Sequence, residues 1–156
     1  MTELNSIPVL TRREIEALMA APLIESFIEE LGREKAWEAA GRVIGKMARE
    51  SGAALRDLVG GNSLKHVEEV LSIFSRGGAL EMDRVEATPT RLAVNITRCR
   101  YAEMYKKHGL EKFGGLLSCS RDFGLFAVFN PKIVFRRTQT IMDGADYCDF
   151  RFEEVE

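Results

Sequence analysis

The amino-acid sequence predicts an α+β fold: a helical N-terminal region followed by a four-stranded antiparallel sheet packed on helices. Up to residue 76 the apolar residues recur at three- and four-residue spacings, which is the period of amphipathic helices. After Gly77-Gly78, two pairs of segments with alternating apolar and polar residues flank a further helical stretch. A length of 156 residues fits one domain, 1–156, with a helical part at 12–76 and a part at 78–155 that carries the sheet, further helices and the cysteines.

The first helix is predicted to begin at about Arg12, because Thr11-Arg12-Arg13-Glu14 has the form of a capping box. One apolar stripe on this helix consists of Ile15, Leu18 and Met19. Pro22 lacks an N–H and crowds the preceding turn, so we expect a break or kink there and a second helical segment at Leu23–Leu31.

Two further helices complete the helical part. The segment Glu34–Leu58 has a helical period with charges between its apolar residues, and Gly60-Gly61 ends it. The next helix has Asn62 or Ser63 as its cap and extends to about Ser75.

The sequence of the second part of the chain, 78–155, predicts two hairpins with helices between them. Strands at 80–85 and 92–97 flank Thr88-Pro89-Thr90, which has turn chemistry. A short helix covers Tyr101–Lys107, and a helix at Glu111–Phe129 is apolar on much of its circumference, so we expect it to be the central buried helix. Strands at Ile133–Ile141 and Tyr147–Val155, joined by a turn at 143–146, form the second hairpin.

Charge and composition exclude several classes of partner. The chain has 22 Lys plus Arg against 24 Asp plus Glu, a net charge of −2 and no long block of one sign. We therefore expect neither nucleic acid nor an anionic membrane as a partner. No apolar run approaches the roughly 18 residues that span a bilayer, and residues 1–9 lack the pattern of a secretory signal. Three widely spaced cysteines predict reduced thiols, and these features together favour a cytoplasmic protein.

Cys119 and Asp122 form the strongest candidate site. The spacing Cys-x-x-Asp places a thiol and a carboxyl on one helical face, within a polar patch at 118–122 of an otherwise apolar segment. Polar groups in such surroundings need partners or line a cavity. The alternative is that Cys119 is a small core residue and Asp122 a solvated charge.

Two more cysteines are candidates through their position. Cys148 shares a strand face with Phe150 and Phe152, which makes it an inward thiol or a core residue. Cys99 lies at the end of a strand between two arginines, which could lower the thiol pKa and bind a carboxylate.

The remaining polar residues carry weaker signals. Arg136 and Arg137 alternate on a strand, so at most one of them faces a site on a given side of the sheet. His66 and His108 stand in charged surroundings and are predicted to be surface residues. Isolated glycine doublets without a phosphate-loop context give no support for a nucleotide cofactor.

Three blocks, Cys99–Tyr105, Leu117–Phe123 and Arg137–Arg151, contain all three cysteines. Together they resemble the family of L-2-amino-thiazoline-4-carboxylic acid hydrolases. The segment Leu31–Ala36 resembles the N-terminal helical region of that family, so the resemblance covers most of the chain. The Cys-Asp-Phe-Arg strand after a glycine turn, in the last block, is its most specific part.

The resemblance implies ring opening of a cyclic isothiourea carboxylic acid: water adds to the amidine carbon, the ring sulfur leaves, and an N-carbamoyl amino thiol forms. We assign Cys119 as the nucleophile, Asp122 as the amidinium holder and proton relay, and Cys148 as a second, assisting thiol. Arg137 or Arg100 would bind the substrate carboxylate. The other residues that we expect to contact the substrate are Cys99, Tyr101 and Asp149.

A weaker resemblance links Gly144–Phe150 to the closing turn and strand of vinyl-reductase and aromatic-sensor ligand-binding domains, which often bind zinc through cysteines. Arg137 and Thr140 stand where neighbouring ligands would be supplied, and neither binds zinc well. A metal site copied from those domains is therefore disfavoured.

Two other classes of function stay open. A binding or sensing domain would hold a small molecule or a metal without turnover, and a carbon–metal lyase would use two thiolates and a carboxylate. We predict no cofactor, with a zinc ion held by the three cysteines and one carboxylate as the alternative. The expected partner is a small-molecule substrate, and a homo-oligomer is left open.

Overall fold

The computed structural model describes residues 3–156, and Met1 and Thr2 of the predicted domain lie outside the described residues. It confirms the α+β class: three N-terminal helices precede one four-stranded antiparallel sheet and further helices. Within residues 3–156 no helix is both long enough and apolar enough to cross a bilayer.

The first helix, α1 (Val9–Leu31), begins earlier than predicted and continues past Pro22. Pro8 is its N-cap, and the N–H of Arg12 donates to the Pro8 carbonyl oxygen at 3.1 Å. The predicted capping box at Thr11 is therefore wrong, and so is a helix end at Pro22. Burial of the inner face holds the chain helical on both sides of the proline. That inner face includes Ala17, Ala21 and Ile24.

The next two helices, α2 (Arg33–Val59) and α3 (Leu64–Phe74), follow the predicted bounds closely. Gly60 ends α2 in a left-handed conformation with φ 73°, which glycine adopts without strain. The hydroxyl and the N–H of Ser63 both contact Nδ1 of His66 at the start of α3. The half-buried His66 is therefore a capping residue rather than a free surface group.

Four strands form one antiparallel sheet in the order β1-β2-β4-β3. Their bounds are β1 Leu80–Ala87, β2 Arg91–Cys99, β3 Ile133–Arg136 and β4 Cys148–Glu154. Both predicted hairpins are confirmed, and β4 pairs with β2 as well as with β3. The register places Cys148 opposite Ile96 and Phe150 opposite Val94. Cys148, Phe150 and Phe152 are all buried on the inner face, as their alternation predicts.

The third strand is shorter than the predicted Ile133–Ile141, because it ends at Arg136. Beyond it the carboxylate of Asp149 accepts the N–H groups of Thr138 and Gln139 at 2.8 and 2.9 Å. These bonds replace the ladder of a sheet and turn the chain away from β4. The predicted turn is confirmed at Gly144, which has φ 99°.

The predicted helix Glu111–Phe129 is interrupted. After α4 (Arg100–Lys107), the chain forms α5 (Glu111–Gly114), a π-helical turn at Gly115–Cys119, and α6 (Arg121–Phe129). The N–H of Ser120 donates to the Gly115 carbonyl oxygen five residues earlier at 2.8 Å, which is the π-helical pattern. The wide turn ends in the polar patch that the sequence singles out.

Two clusters of buried side chains make up the core. The larger cluster lies between the inner face of the sheet, α3 and α6, and its largest members are Phe126, Phe129, Phe150 and Phe152. The second joins α1, α2 and residues 104–117, and includes Ile24, Ile44, Tyr105 and Phe113.

Gly52 of α2 lies against α6 so closely that an added Cβ would collide with the Leu125 carbonyl. This close approach fixes α6, and with it the polar patch, relative to the N-terminal helices.

Candidate active site

A cavity of about 80 Å³ lies between the N-terminal end of α1, α3, the inner face of the sheet, the π-helical turn and α6. One water needs about 10–15 Å³ of such space, so the cavity accommodates a molecule of several non-hydrogen atoms. Its walls are mainly apolar, with Leu71, Phe74, Ile96, Leu125, Phe126 and Phe150 among them. The polar side chains that share these walls are Arg13, Cys99, Tyr101, Ser118, Cys119, Arg121, Asp122, Arg137, Thr140 and Cys148.

Asp122, in the first turn of α6, is the carboxyl of this cavity. Its Oδ2 accepts a hydrogen bond from Nη1 of Arg137 at 2.6 Å, and the same nitrogen donates to the Cys119 carbonyl oxygen at 3.0 Å. Burial raises the pKa of the Asp122 carboxyl to about 6, although the positive charge of Arg137 opposes this shift. The pKa of this carboxyl therefore lies within about one unit of neutral pH.

Arg137 reaches the cavity because the chain leaves the sheet directly after Arg136. Its guanidinium carbon lies 4.9 Å from the ring centroid of Phe123 and 5.8 Å from that of Phe150, and only 9% of its side chain is exposed. Arg136 is exposed and pairs with Glu153 at 3.6 Å. As expected from strand alternation, only one of the two arginines faces the cavity.

All three thiols line the same cavity. The Cys148 sulfur accepts the N–H of Ile141 at 3.2 Å, and the Cys99 sulfur accepts the N–H of Ala102 at 3.4 Å at the start of α4. Burial raises the pKa of all three thiols, to about 11 for Cys99. In the resting protein at neutral pH the thiols are therefore protonated.

The expected lowering of the Cys99 pKa by neighbouring arginines is wrong. Arg98 donates to the exposed carboxylates of Glu81 and Glu103, and Nη1 of Arg100 donates to the Gly77 carbonyl oxygen at 3.1 Å. Both guanidinium groups are thus held at the surface, whereas the thiol lines a mainly apolar cavity.

Of the other residues predicted to bind substrate, one lines the cavity and two do not. Tyr101 lines the cavity, and its hydroxyl donates to the Phe74 carbonyl oxygen at 3.0 Å. Arg100 is exposed and does not line the cavity. Asp149 does not line it either, because its carboxylate holds the backbone after Arg137.

Two arginines of the cavity are absent from the sequence-based site. Arg121 is 6% exposed, donates from Nε to the Leu117 carbonyl oxygen at 2.7 Å, and pairs with Glu16 at 3.0 Å. Arg13 reaches the cavity from α1 and pairs with the same carboxylate at 2.9 Å. Burial, aided by the charge of Arg13, lowers the pKa of Arg121 to about 10.

The sequence does contain a signal for Arg13. It stands four residues before Ala17 and eight before Ala21, on the row of α1 that faces the protein interior. A charged residue on an otherwise small, buried row marks a site or an ion pair. Because Thr11–Glu14 was interpreted as a capping box, Arg13 was not considered as a residue of the site.

In the described part of the chain, no three His, Cys, Asp or Glu side chains are arranged so that they could hold a metal ion.

The fold and the cavity define an α+β protein with an interior cavity whose wall carries thiols, a carboxyl and guanidinium groups. A family model described as L-2-amino-thiazoline-4-carboxylic acid hydrolase matches residues 12–152, and the chain belongs to this family. No curated protein sequence matches the chain.

Solved structures with a similar fold include two from very different settings. One is the phenol-responsive sensory domain of the transcription activator PoxR with phenol, with a TM-score of 0.55 and 13% identity over 88% of this chain and 73% of that one. The other is a trafficking protein particle complex subunit 3 from Naegleria fowleri covalently bound to palmitic acid, with a TM-score of 0.55 and 10% identity over 94% and 96% of the two chains. At these identities the likeness shows the fold alone.

Proposed function

We propose that this chain is a hydrolase that opens cyclic isothiourea or amidine carboxylic acids, of the type that converts 2-aminothiazoline-4-carboxylate to N-carbamoyl-cysteine. The family supports this class of reaction. The observation that carries the proposal is that Cys119 and Asp122, a carboxyl whose pKa is raised to about 6, both lie on the wall of one small cavity. Such a carboxyl suits general acid–base catalysis near neutral pH.

Asp122 would hold the substrate through charge-assisted hydrogen bonds. Its ionised form accepts N–H groups of an amidinium, and such bonds are stronger than those between neutral groups. Arg137 occupies one Asp122 oxygen and positions the carboxylate. The remaining guanidinium donors of Arg137 can receive the substrate carboxylate, a role that Arg100 is too remote to fill.

Cys119 is protonated at rest, so its activation would depend on the substrate. An amidinium cation beside the thiol favours the thiolate, and the carboxylate of Asp122 takes the proton. The sulfur attacks the amidine carbon, the ring carbon–sulfur bond breaks, and the leaving ring sulfur takes the proton back from Asp122. The substrate is then an open-chain isothiourea on Cys119 with a free thiol.

Water would complete the cycle. It adds to the same carbon and gives one proton to Asp122; the bond to Cys119 then breaks, and the Cys119 sulfur regains a proton from Asp122. The product is an N-carbamoyl amino thiol, one water heavier than the substrate, and an amidinium substrate releases one proton to solvent. The neutral thiol of Cys148 is available as a hydrogen-bond donor to sulfur in either step.

Binding without turnover is the second candidate function. Three protonated thiols and mainly apolar walls also suit a domain that only holds a small apolar molecule. Among the structures with a similar fold, the PoxR sensory domain is described with phenol and the trafficking subunit with covalent palmitic acid.

Direct assay of 2-aminothiazoline-4-carboxylate separates the candidates. We expect a product heavier by one water and one new free thiol per turnover, lost in Cys119→Ala and in Asp122→Asn. Asp83→Asn, an exposed carboxyl on β1, is the matched control and should retain full activity. Turnover that survives both cavity substitutions would overturn the mechanism, and saturable binding without product would favour the binding domain.

A further inference from the structure

The solvent side of α1 carries a continuous stripe of large apolar side chains. Each member is between 49% and 66% exposed. The stripe consists of Ile15, Leu18, Met19, Leu23, Phe27 and Leu31. Three of these residues form the apolar stripe that the sequence predicts for this helix, and the structure places all three away from the core.

The opposite side of α1 is buried in the core of the protein. Its buried row, Ala17, Ala21 and Ile24, packs against the second core cluster. A helix that is apolar on both sides is typical of an element buried on both sides. The outer stripe of α1 therefore has the character of a surface that another helix covers.

Part of the stripe is self-complementary. Residues four apart on an α-helix differ in direction by about 40°, so the stripe winds around α1 and Ile15 and Leu31 point about 160° apart. One contact face holds Ile15, Met19 and Leu23, with Phe27 at its edge. In an antiparallel pair related by a two-fold axis midway between positions 19 and 23, Met19 of one copy lies opposite Leu23 of the other, and Ile15 lies opposite Phe27.

Charge favours the same arrangement. The last turn of α1 carries Glu29 and Glu30 with no basic residue, and its first turn has no acidic residue. Acidic groups at a helix C-terminus are unfavourable beside that helix's own dipole. An antiparallel copy of α1 brings its positive N-terminal end, with Arg12, toward these carboxylates.

The exposed apolar area is large for the surface of a monomer. The six side chains leave apolar surface on the order of 600 Å², which would form most of the roughly 800 Å² that a standard interface buries on each partner. A patch of this size is at the upper end of what monomers expose. We propose that two copies of this chain associate through antiparallel α1 helices, with Met19 of each copy packed on Leu23 of the other.

Sedimentation velocity tests the association. We expect the unmodified chain to sediment with the mass of two chains, and Leu23→Glu or Met19→Glu with the mass of one. Val85→Glu is the matched control, because Val85 is a 57% exposed apolar residue on β1 and not part of the α1 stripe. Since Leu23 and Met19 are exposed, circular dichroism should show that all three variants remain folded.

Cross-linking tests the orientation. Under mild oxidation Met19→Cys and Leu23→Cys should form a disulfide when mixed, and so should Ile15→Cys and Phe27→Cys. Ile15→Cys and Leu31→Cys point in nearly opposite directions on α1 and should not cross-link when mixed. A single-chain mass for the unmodified protein at all concentrations, or a dimer that survives Leu23→Glu, would overturn the proposal. Co-purification of a single-chain species with a different protein on this face would overturn it as well.

Discussion

Arg137 and Asp122 are joined at 2.6 Å from Nη1 to Oδ2, and the same nitrogen also holds the Cys119 carbonyl oxygen. One guanidinium thus connects the loop after β3 to the π-helical turn and to α6. The rings of Phe123 and Phe150 lie beside the guanidinium, and only 9% of the Arg137 side chain is exposed, so water has little access to this arginine.

Replacing Arg137 with glutamine should raise the Asp122 pKa further above 6. The guanidinium is the group that opposes the effect of burial, and its loss leaves a carboxyl that is more stable when protonated. We expect a loss of about 2 kcal/mol in the free energy of unfolding at neutral pH. Carbon-13 NMR titration and urea denaturation measure the two effects.

Arg136→Gln is the control for this substitution. The two arginines are adjacent, but Arg136 is exposed and pairs only at the surface. Its loss should change stability by less than about 0.5 kcal/mol and leave the Asp122 titration unchanged. Equal effects of the two substitutions would contradict the role assigned to Arg137.

Stability should fall as the pH rises from about 4 to about 6. The Asp122 pKa is about 6 in the folded chain against an ordinary value of 3.8. Between these values the folded state binds more protons than the unfolded state, so deprotonation favours unfolding. The contribution is on the order of 1–3 kcal/mol and is complete above the folded pKa.

Denaturation of the unmodified chain and of Asp122→Asn over this pH range isolates the effect. Other carboxyls titrate equally in both proteins, so the difference between the two curves reports Asp122. A difference that does not change between pH 4 and 6 would show that the folded pKa of Asp122 is ordinary. If Asp122 is the proton relay, hydrolysis should rise through the same interval.

The thiols should react slowly in the native protein. A pKa of about 11 for Cys99, against an ordinary 9.0, lowers its thiolate fraction at neutral pH about a hundredfold, and burial acts in the same direction on Cys119 and Cys148. Titration with a disulfide reagent should show three slow thiols in the native protein and three fast ones in denaturant. A single fast native thiol would contradict the resting state described above.

A cyclic amidinium carboxylate should make one of the three thiols, that of Cys119, reactive. If it favours the Cys119 thiolate, trapping by acid quench and intact-mass measurement should detect the covalent adduct on Cys119, absent in Cys119→Ala. Cys99→Ala keeps the proposed nucleophile and serves as the control. An adduct on Cys99 or Cys148 instead would reassign the nucleophile.

Asp149 does not line the cavity, but Asp149→Ala should disturb the position of Arg137 in the cavity wall. The carboxylate holds the backbone N–H groups of Thr138 and Gln139 and thereby the loop that presents Arg137. We expect a loss of about 2 kcal/mol in stability and a raised KM for a carboxylate substrate. Asp146→Ala, an exposed carboxyl in the same loop, should leave both unchanged.

Gly52→Ala should destabilise the chain by about 2 kcal/mol or more, because its Cβ would collide with the Leu125 carbonyl. Gly41, in the same helix, has its nearest neighbour at 3.8 Å, so Gly41→Ala should be neutral or stabilise by up to about 1 kcal/mol. Thermal melting of both variants checks the prediction. Equal melting temperatures would contradict the close packing of α2 on α6.

The spacing of apolar residues predicted several helices and strands correctly. α2, α3, the first hairpin and β4 have the predicted type and nearly the predicted bounds, and α3 and β4 bury the face that their apolar spacing defines. The start of α1 and its passage through Pro22 depend on tertiary packing, which no local signal contains.

The site was predictable to the extent that its residues are unusual for their surroundings. Cys119 and Asp122 stand out as polar groups in an apolar helix, and the structure places both on the cavity wall. The end of β3 depends on the carboxylate of Asp149, which is ten residues or more away in sequence from the amides that it accepts. Arg13 joins the site from a helix more than 80 residues earlier.

The π-helical turn at Gly115–Cys119 amounts to one residue more than an α-helical path requires. Each residue of an α-helix advances the side-chain direction by about 100°, so this single extra residue resets the angular phase between α5 and α6. The direction of Cys119 and Asp122 is therefore set by backbone length as much as by residue type. Deleting Gly115 alone would rotate the pair away from the cavity without altering any side chain that lines it.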